Sequence, residues 1–275
     1  MKNLPAEASV PHLNIGCTSF IVKEDYVPAV RACTRYARDI SLLLLEAGDR
    51  GAWLPSRGTM RELKTIAEGE GISWNVHLPT DGGFGSPSRA RELTDNVLRA
   101  IDLTRALNPH TWVMHVVTDP LPSAEMRPPM TPEERARALA SLDRIRPALP
   151  SPRHLALENL ERHPLDYLDD LVEATDFSLC FDIGHVWKEG GRPEELLPLW
   201  LRRIRMCHIH GLHKRDHQSL HHLPAERLDA LLHLLWRLHF DKLLTIEVFS
   251  VADYLNSCRA IRASYERYQN TLAAP

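Results

Sequence analysis

The chain alternates between two patterns of hydrophobic and polar residues. Short runs rich in apolar and β-branched residues indicate buried strands, and longer stretches in which apolar residues return every three or four positions indicate amphipathic helices. Eight short runs predict strands, at residues 13–18, 40–45, 72–77, 110–117, 153–158, 178–182, 204–210 and 242–248. Helical patterns fill the intervals between them.

Helix-starting signals support this alternation. Pro132 follows Thr131, a favourable N-cap residue, and predicts a helix over 132–147. Pro164 predicts another helix over 164–175 in the same way. Further helical patterns cover residues 88–107, 223–239 and 251–270.

Repeated strand–helix units predict a parallel sheet with right-handed crossovers. Eight such units in 275 residues match one particular α/β fold, the single (β/α)8 TIM barrel. We expect residues 1–275 to form one domain. A doubly wound open sheet is the structural alternative. It normally has a glycine-rich turn after an early strand, and the segment "GCTSF" that follows the start of the first strand is not such a turn.

Composition narrows the class of protein. The formal net charge of −3 disfavours a nucleic-acid partner, because polyanions are bound by basic surfaces. The five cysteines are odd in number and widely spaced, which indicates reduced thiols rather than a disulfide framework. Residues 1–12 lack the apolar stretch of a signal peptide, and no run approaches the ~18 apolar residues of a membrane-spanning helix. We therefore expect a soluble, cytoplasmic protein with no membrane partner.

Metal-competent side chains stand at or near the C-terminal ends of six consecutive predicted strands. In a barrel these strand ends form the active-site face. From the third strand to the eighth the residues are His77, His115, Glu158, Asp182, His208 and Glu247. Burying a carboxylate at a strand end costs several kcal/mol unless a partner compensates. A shared cluster of divalent ions would compensate all six residues together.

The segment "CFDIGH" places His185 three residues after Asp182. We expect Gly184 to permit a tight turn that brings His185 toward the same cavity. After the seventh strand, the loop adds the adjacent pair Asp216 and His217 as further candidate ligands.

Counting ligands predicts more than one ion. A divalent ion takes about four to six ligands, water included. One site would be filled by Glu158, Asp182, His208 and Glu247. This leaves four histidines over: His77, His115, His185 and His217. We therefore expect two or three ions, and the nitrogen-rich ligand set favours zinc, manganese or iron over magnesium or calcium.

These residues resemble the xylose isomerase-like superfamily of barrels, which includes endonuclease IV and the sugar epimerases. In the epimerases one metal is held by four residues from strands five to eight, and the matching residues here are Glu158, Asp182, His208 and Glu247. In the endonuclease IV branch, further ligands match His77, His115 and His185. That branch also carries an Asp-x-His pair, whereas here Asp216 directly precedes His217.

A narrower resemblance concerns the cobamide-remodelling phosphodiesterases of this superfamily. It rests on the segments "GCTSFI", "VHLPTD", "LALENL", "CFDIGH", "HIHG…DHQSL" and "LTIEVFSVADYLNS". It implies a metal-dependent hydrolase that cuts the nucleotide-loop phosphodiester of a cobamide and releases cobinamide phosphate, so that the substrate is a corrinoid. In this scheme Glu158 bridges ions, and Glu247 and His210 complete the catalytic set.

Three other functions are compatible with parts of this pattern. A sugar or keto-sugar isomerase or epimerase would use Glu158 and Glu247 as paired acid/base groups beside one metal, although His77 and His115 are not needed for proton transfer at carbon. An AP-endonuclease-like DNA phosphodiesterase would need a basic, DNA-wide face. A non-catalytic binding module would have no use for an intact ligand set.

Two loops follow the strands that carry the first two histidines. Residues 78–88 are glycine-rich, and residues 118–131 contain four prolines. Long loops without secondary structure commonly act as lids. We therefore expect both loops to border the substrate cavity, with Arg127 and His210 as substrate contacts.

Overall fold

The computed structural model describes residues 4–118, 126–164 and 166–273, and its eight strands close into one parallel barrel in chain order. The strands are β1 Asn14–Thr18, β2 Asp39–Leu43, β3 Ser73–His77, β4 Thr111–His115, β5 Leu155–Glu158, β6 Ser178–Asp182, β7 Ile204–Ile209 and β8 Leu243–Ile246. Strand β1 pairs with both β2 and β8, so none of these eight strands has a free edge. The predicted (β/α)8 barrel is confirmed, and the open doubly wound sheet is excluded.

Nine helices surround the strands in the described ranges. They are α1 Tyr26–Cys33, α2 Arg57–Glu70, α3 Pro87–Thr104, α4 Pro132–Ile145, α5 Asp169–Ala174, α6 Ile183–Lys188, α7 Pro193–Trp200, α8 Ala225–Arg237 and α9 Val251–Ala273. Helix α4 begins as predicted, because Thr131 and Glu134 form a reciprocal capping box at its first turn. No helix in this part of the chain is long and apolar enough to cross a membrane.

Two regions differ from the sequence prediction. The helix expected from Pro164 begins only at Asp169, because Tyr167 lies in a turn and donates its hydroxyl proton to the carbonyl oxygen of Glu158, 2.8 Å away. The fourth strand ends at His115 rather than at 117, because the chain then leaves the sheet and the Val117 carbonyl accepts a hydrogen bond from the Phe84 N–H.

The inward side chains of the barrel form layers, and the polar residues at the strand ends form the layer at one face. An apolar layer fills the middle, formed by Val113, Ala156, Cys180, Met206 and Leu243. Side chains of a strand alternate between its two faces, so residues two positions further along also point inward. On β4 to β7 these next inward residues are His115, Glu158, Asp182 and His208, and Glu247 lies four positions beyond Leu243, which keeps it on the same face. The candidate site therefore lies directly above an apolar floor.

The opposite, N-terminal end of the barrel holds a self-contained polar network. The Asp39 carboxylate accepts hydrogen bonds from Asn75 Nδ2 at 2.8 Å, Ser73 Oγ at 2.6 Å and His110 Nε2 at 2.8 Å. Arg205 donates to the carbonyl oxygen of His110 at 2.8 Å. All five cysteines are buried and free, as expected for reduced thiols.

Candidate metal centre

A cavity of about 310 Å³ opens at the C-terminal ends of the strands. Six of the residues predicted from the sequence line it: His77, His115, Glu158, His185, His217 and Glu247. Glu46 and Glu161 add two carboxylates that the sequence argument did not include. Asp182, His208 and His210 are fully buried around the same point.

The central group consists of Glu158, Asp182, His208 and Glu247, which each place one ligand atom within 4.8 Å of the others. His208 Nδ1 lies 2.6 Å from Glu158 Oε1, 3.2 Å from Glu247 Oε2 and 3.9 Å from Asp182 Oδ2. Strand pairing produces this convergence, since Asp182 and His208 are direct partners in the β6–β7 register. The group can supply three carboxylates and one imidazole to a single divalent ion.

The second oxygen of Glu158 faces two more histidines. Its Oε2 lies 2.9 Å from His115 Nε2 and 3.2 Å from His77 Nε2. His77 Nδ1 is 3.0 Å from the carbonyl oxygen of Leu78, to which it donates. Nε2 of a neutral His77 is then an acceptor aimed at a carboxylate oxygen, and two acceptors need a proton or a cation between them. The arrangement suits a cation at this position.

Two further histidines are oriented by backbone carbonyls in the same manner. His185 Nδ1 donates to the Asn159 carbonyl at 2.9 Å, and His217 Nδ1 donates to the Glu247 carbonyl at 3.2 Å. A hydrogen bond from one ring nitrogen fixes the tautomer and leaves the other nitrogen free to bind a metal. For His185, that other nitrogen lies 3.3 Å from a Glu161 oxygen.

Unpartnered polar atoms mark the deepest part of the site. Asp182 Oδ1 accepts the N–H of His185 at 2.7 Å and so caps helix α6. Asp182 Oδ2, His208 Nε2 and His210 Nε2 are buried without a hydrogen-bond partner in the described part of the chain. Buried polar atoms in folded proteins are nearly always paired, so such atoms require an explanation. A divalent ion with oxygen and nitrogen ligands fits Asp182 Oδ2 and its neighbours.

The electrostatics couple the buried acids to the imidazoles. Burial raises the pKa of Glu158, but His208, His115 and His77 outweigh burial and hold that pKa well below its usual range. Burial has the same effect on Glu247, and there His208 dominates and lowers the pKa to about 2. Both carboxylates are therefore ionised at neutral pH, as metal ligands must be.

The carboxylates in turn change the pKa of His185. Burial lowers the pKa of this imidazole, but the charges of Asp182, Glu158 and Glu161 overcome burial and raise the pKa to about 9. A cation bound among these carboxylates would take over the role of that proton, so metal binding and proton release are linked here.

Gly184 has a different role from the one expected. It lies inside helix α6 rather than in a tight turn. A Cβ atom on Gly184 would lie 2.3 Å from His210 Cε1, far inside contact distance. Only glycine allows the His210 ring to pack against the first turn of α6, where its Nε2 lies 3.5 Å from Asp182 Oδ1.

Sequence reasoning missed the residue that ties the site together. Asn159 donates from Nδ2 to the Asp182 carbonyl at 2.9 Å and accepts the Asp182 N–H at 2.8 Å. It thus fixes β6 to the end of β5. Its position immediately after Glu158 in "LALENL" is the signal that could have identified it.

Two other predicted residues lie apart from the ligand groups. Asp216 bonds to Lys188 Nζ at 2.5 Å, and it belongs to none of the groups that gather ligand atoms. Arg127 is buried, and its backbone N–H donates to the Arg162 carbonyl at 2.7 Å. It is not among the residues that line the cavity.

The two predicted lids are only partly accounted for. Thr80, from the 78–88 loop, lines the cavity. Of the 118–131 loop, residues 119–125 lie outside the described residues.

Besides the central group, two histidine-rich groups gather ligand atoms within 4.8 Å of one another: His77–His115–Glu158 and His185–His210–His217. A further group includes Cys180, but burial raises the pKa of that thiol to about 12 and keeps it protonated, which disfavours it as a ligand. The geometry thus offers one four-ligand site with two smaller groups beside it.

Comparison with known proteins places this geometry in context. A family model described as a xylose isomerase-like TIM barrel matches residues 37–269. A D-tagatose 3-epimerase-like protein has 17% identity and a TM-score of 0.76, over 94% of this chain and 100% of that chain. An L-ribulose 3-epimerase has 17% identity and a TM-score of 0.69, over 95% and 97%. D-Psicose 3-epimerase from Clostridium cellulolyticum H10 has 12% identity and a TM-score of 0.68, over 94% and 99%.

No curated protein matches the sequence. At these identities the structural likeness shows the fold, and the argument for function has to come from the site.

The expectation of a cobamide-remodelling phosphodiesterase with a corrinoid substrate is wrong, because the similar solved structures given above are named as sugar epimerases. Most motifs behind that expectation contain the candidate metal ligands, which do not by themselves distinguish one reaction from another. The rest of "TIEVFS" is explained by packing: Val248 is buried, and Phe249 stacks on His217 with ring centroids 5.1 Å apart.

Proposed function

The chain belongs to the xylose isomerase-like TIM barrel family, and from that premise we propose that it is a metal-dependent epimerase or isomerase of a keto-sugar. The observation that carries the proposal is the placement of two carboxylates. Glu158 and Glu247 reach one cavity from β5 and β8, and both belong to the four-residue group completed by Asp182 and His208. Several structural neighbours are named as ketose 3-epimerases.

The residues divide into holding and proton-transferring roles. Asp182 and His208 would hold a divalent ion together with the two glutamates. When bound, such an ion polarises the substrate carbonyl and stabilises the negative charge that develops on its oxygen. One glutamate removes the proton from the carbon next to the carbonyl, and the other returns a proton to the opposite face.

His77 and His115, which count against this function in the sequence argument, gain a role beside Glu158. Their Nε2 atoms lie 3.2 and 2.9 Å from Glu158 Oε2, and when these nitrogens are protonated they donate to that oxygen and hold the carboxylate in one orientation. A carboxylate that must move a proton repeatedly benefits from such fixed partners, because misplacement of a catalytic group by 1 Å can cost about a hundredfold in rate.

The size and lining of the cavity favour a sugar. About 310 Å³ lies at the small end of the range of roughly 300–1,000 Å³ for small-molecule sites. Glu46, Thr80 and Glu161 offer partners for hydroxyl groups, and Phe249 offers an apolar face. A monosaccharide needs both kinds of contact. A mixed oxygen and nitrogen ligand set suits Mn²⁺, Fe²⁺ or Zn²⁺.

The test is proton exchange at carbon. Protein reconstituted separately with Mn²⁺, Fe²⁺ and Zn²⁺ is incubated in D2O with a panel of ketoses and followed by NMR. We expect deuterium to enter the carbon next to the carbonyl of one ketose, with formation of its epimer or isomer. Bound metal is counted by elemental analysis, and a central site predicts one ion per chain.

Two variants act as controls for this experiment. Glu247→Gln removes one proton-transfer group and should stop epimer formation. Arg203→Gln, on the opposite side of the barrel, should leave the rate unchanged. If the metal-loaded protein exchanges no proton with any ketose in the panel, the proposed function is wrong.

A further inference from the structure

A second cavity, larger than the metal centre, lies at the N-terminal end of the barrel. We call it the basal cavity. Its volume is about 690 Å³, and it is bordered by residues at or just before the starts of β1 to β8. It lies on the face opposite to the candidate metal centre. The proposed chemistry makes no use of it.

Positive charge dominates this cavity. Its lining includes five cationic side chains: Arg38, Arg153, Arg202, Arg205 and Lys242. Only two carboxylates line it in the described part of the chain. Asp39 is engaged by Ser73, Asn75 and His110, and Asp241 lies 3.8 Å from Lys242. The acids therefore leave most of the arginine charge uncompensated.

Structural duties account for two of the arginines. Arg38 Nη1 donates to the Thr34 carbonyl at the end of α1, at 2.6 Å, which is a common use of a cation at a helix C-terminus. Arg205 donates to the His110 carbonyl and to Thr111 Oγ1. Its guanidinium is held rigidly at the edge of the cavity.

The other two arginines have no such duty. Among the residues that the structure describes, no hydrogen bond and no ion pair involves the side chains of Arg153 and Arg202. Both residues are exposed. Arg153 is also close enough to Arg205 to lower the pKa of that guanidinium, after the larger effect of burial. Like charges brought together in a concave site attract an anion.

Apolar side chains also line the cavity. Leu13, Ile204 and Leu243 line it beside the arginines. An inorganic anion would leave these apolar side chains without a contact, whereas an organic phosphate would contact both them and the arginines. Guanidinium groups bind phosphate oxygens through paired, charge-assisted hydrogen bonds.

We propose that the basal cavity binds a small phosphorylated metabolite, with its phosphate held by Arg153, Arg202 and Arg205 and its organic part against the apolar side chains that line the cavity. The volume falls within the usual range for small-molecule sites. The site is independent of the proposed sugar chemistry, because no residue of the metal centre lines it.

Calorimetric titration of the whole protein with AMP, ribose 5-phosphate and inorganic phosphate tests the proposal. We expect at least one of the two esters to bind with saturation and more tightly than inorganic phosphate. The double variant Arg153→Gln/Arg202→Gln should weaken that binding by about tenfold or more, because two charge-assisted contacts are lost. Higher salt should weaken it further.

Two variants locate the binding. Arg203→Gln makes the same charge change on a neighbouring arginine that does not line the basal cavity, and it should bind the ester normally. Glu158→Gln, at the metal centre, should also bind it normally. The proposal is overturned if neither ester saturates the protein, if the double variant binds as well as the parent, or if only Glu158→Gln loses binding.

Discussion

The two ends of the barrel each bury an aspartate close to histidine, and they satisfy it differently. At the N-terminal end, Asp39 receives hydrogen bonds on both oxygens, from Asn75 on one and from Ser73 and His110 on the other. At the C-terminal end, Asp182 caps α6 with one oxygen and leaves the other without a hydrogen-bond partner among the described residues. The first carboxylate is a structural element, and the second is prepared for a ligand.

The two ends also differ in cavity size, and the larger cavity is not at the end that holds the candidate metal ligands. The basal cavity has about 690 Å³ and the metal centre about 310 Å³. The smaller cavity nevertheless carries the convergent ligands, and three unpartnered buried atoms, on Asp182, His208 and His210, lie beside it. In this barrel, the convergence of ligand atoms points to the proposed catalytic end, whereas cavity volume does not.

The largest contrast between the ends should come from neutralising one glutamate. Glu158→Gln keeps the side-chain size but removes the charge that faces His208, His115 and His77. We expect the rate of ketose exchange to fall by roughly a thousandfold or more, since a proton-transfer group contributes about 10²–10⁴-fold. Elemental analysis should show less bound metal. A variant with full metal content and normal rate would remove Glu158 from the site.

The next largest effect should come from a single methyl group. Gly184→Ala places a Cβ 2.3 Å from the His210 ring, which is fully buried and has to move. We expect a loss of about 1–3 kcal/mol in the free energy of unfolding, as for other overpacked sites. The exchange rate should fall by about a hundredfold, because the ring packs beside Asp182.

The matched control for that substitution is Gly69→Ala. Gly69 also lies within a helix, α2, but nothing is within 4 Å of the added Cβ. This variant should be slightly more stable than the parent, by about 0.5–1 kcal/mol, with an unchanged rate. Equal loss of activity in both alanine variants would contradict the close approach of His210.

Metal removal should lower the stability of the protein, and this effect should depend on residues at the C-terminal end of the barrel and not on those at the N-terminal end. A ligand present at about a hundred times its dissociation constant adds about 2.7 kcal/mol to the stability of the folded state. We therefore expect chelation to lower the Tm of the parent protein, and added metal to restore it. Glu158→Gln should lose most of this shift, whereas Asp39→Asn should keep it. If the Tm of the parent protein is the same with and without metal, the central group holds no ion.

The smallest effect should come from neutralising the buried carboxylate at the N-terminal end of the barrel. Asp39→Asn loses the charge-assisted bond to His110 at 2.8 Å and disturbs the bonds to Ser73 and Asn75. We expect about 1–3 kcal/mol less stability, measured by denaturant unfolding, with metal content and exchange rate unchanged. A loss of bound metal in this variant would break the division between the two ends.

Strand alternation explains how much of the site the sequence could reveal. In a parallel barrel, a polar residue at the end of an apolar run points to a shared face, so the positions of His77, Glu158 and Glu247 could be predicted without coordinates. The pairing of Asp216 with Lys188 could not, because it joins a loop to a helix in the preceding unit. Nor could the contact that requires Gly184, which depends on a ring from another strand.

The helices show the same limit. Long amphipathic helices such as α3 and α4 were predicted from periodicity and caps, whereas α6 and α7 have only six and eight residues and leave little periodic signal. The substrate class was mispredicted for a chemical reason. The candidate ligand residues indicate that a metal can be held, but they do not specify which reaction the metal would serve.

The order of the ligands along the chain has a consequence for protein synthesis. Three members of the central group lie on β5 to β7, and Glu247, which directly follows β8, comes last. Chains generally fold from the N-terminus as they are made. A growing chain that has not yet formed β8 presents only three of the four ligands in an open barrel. The complete set of four candidate ligands therefore becomes available only when β8 pairs with β1, so that acquisition of the proposed ion would be coupled to completion of the fold.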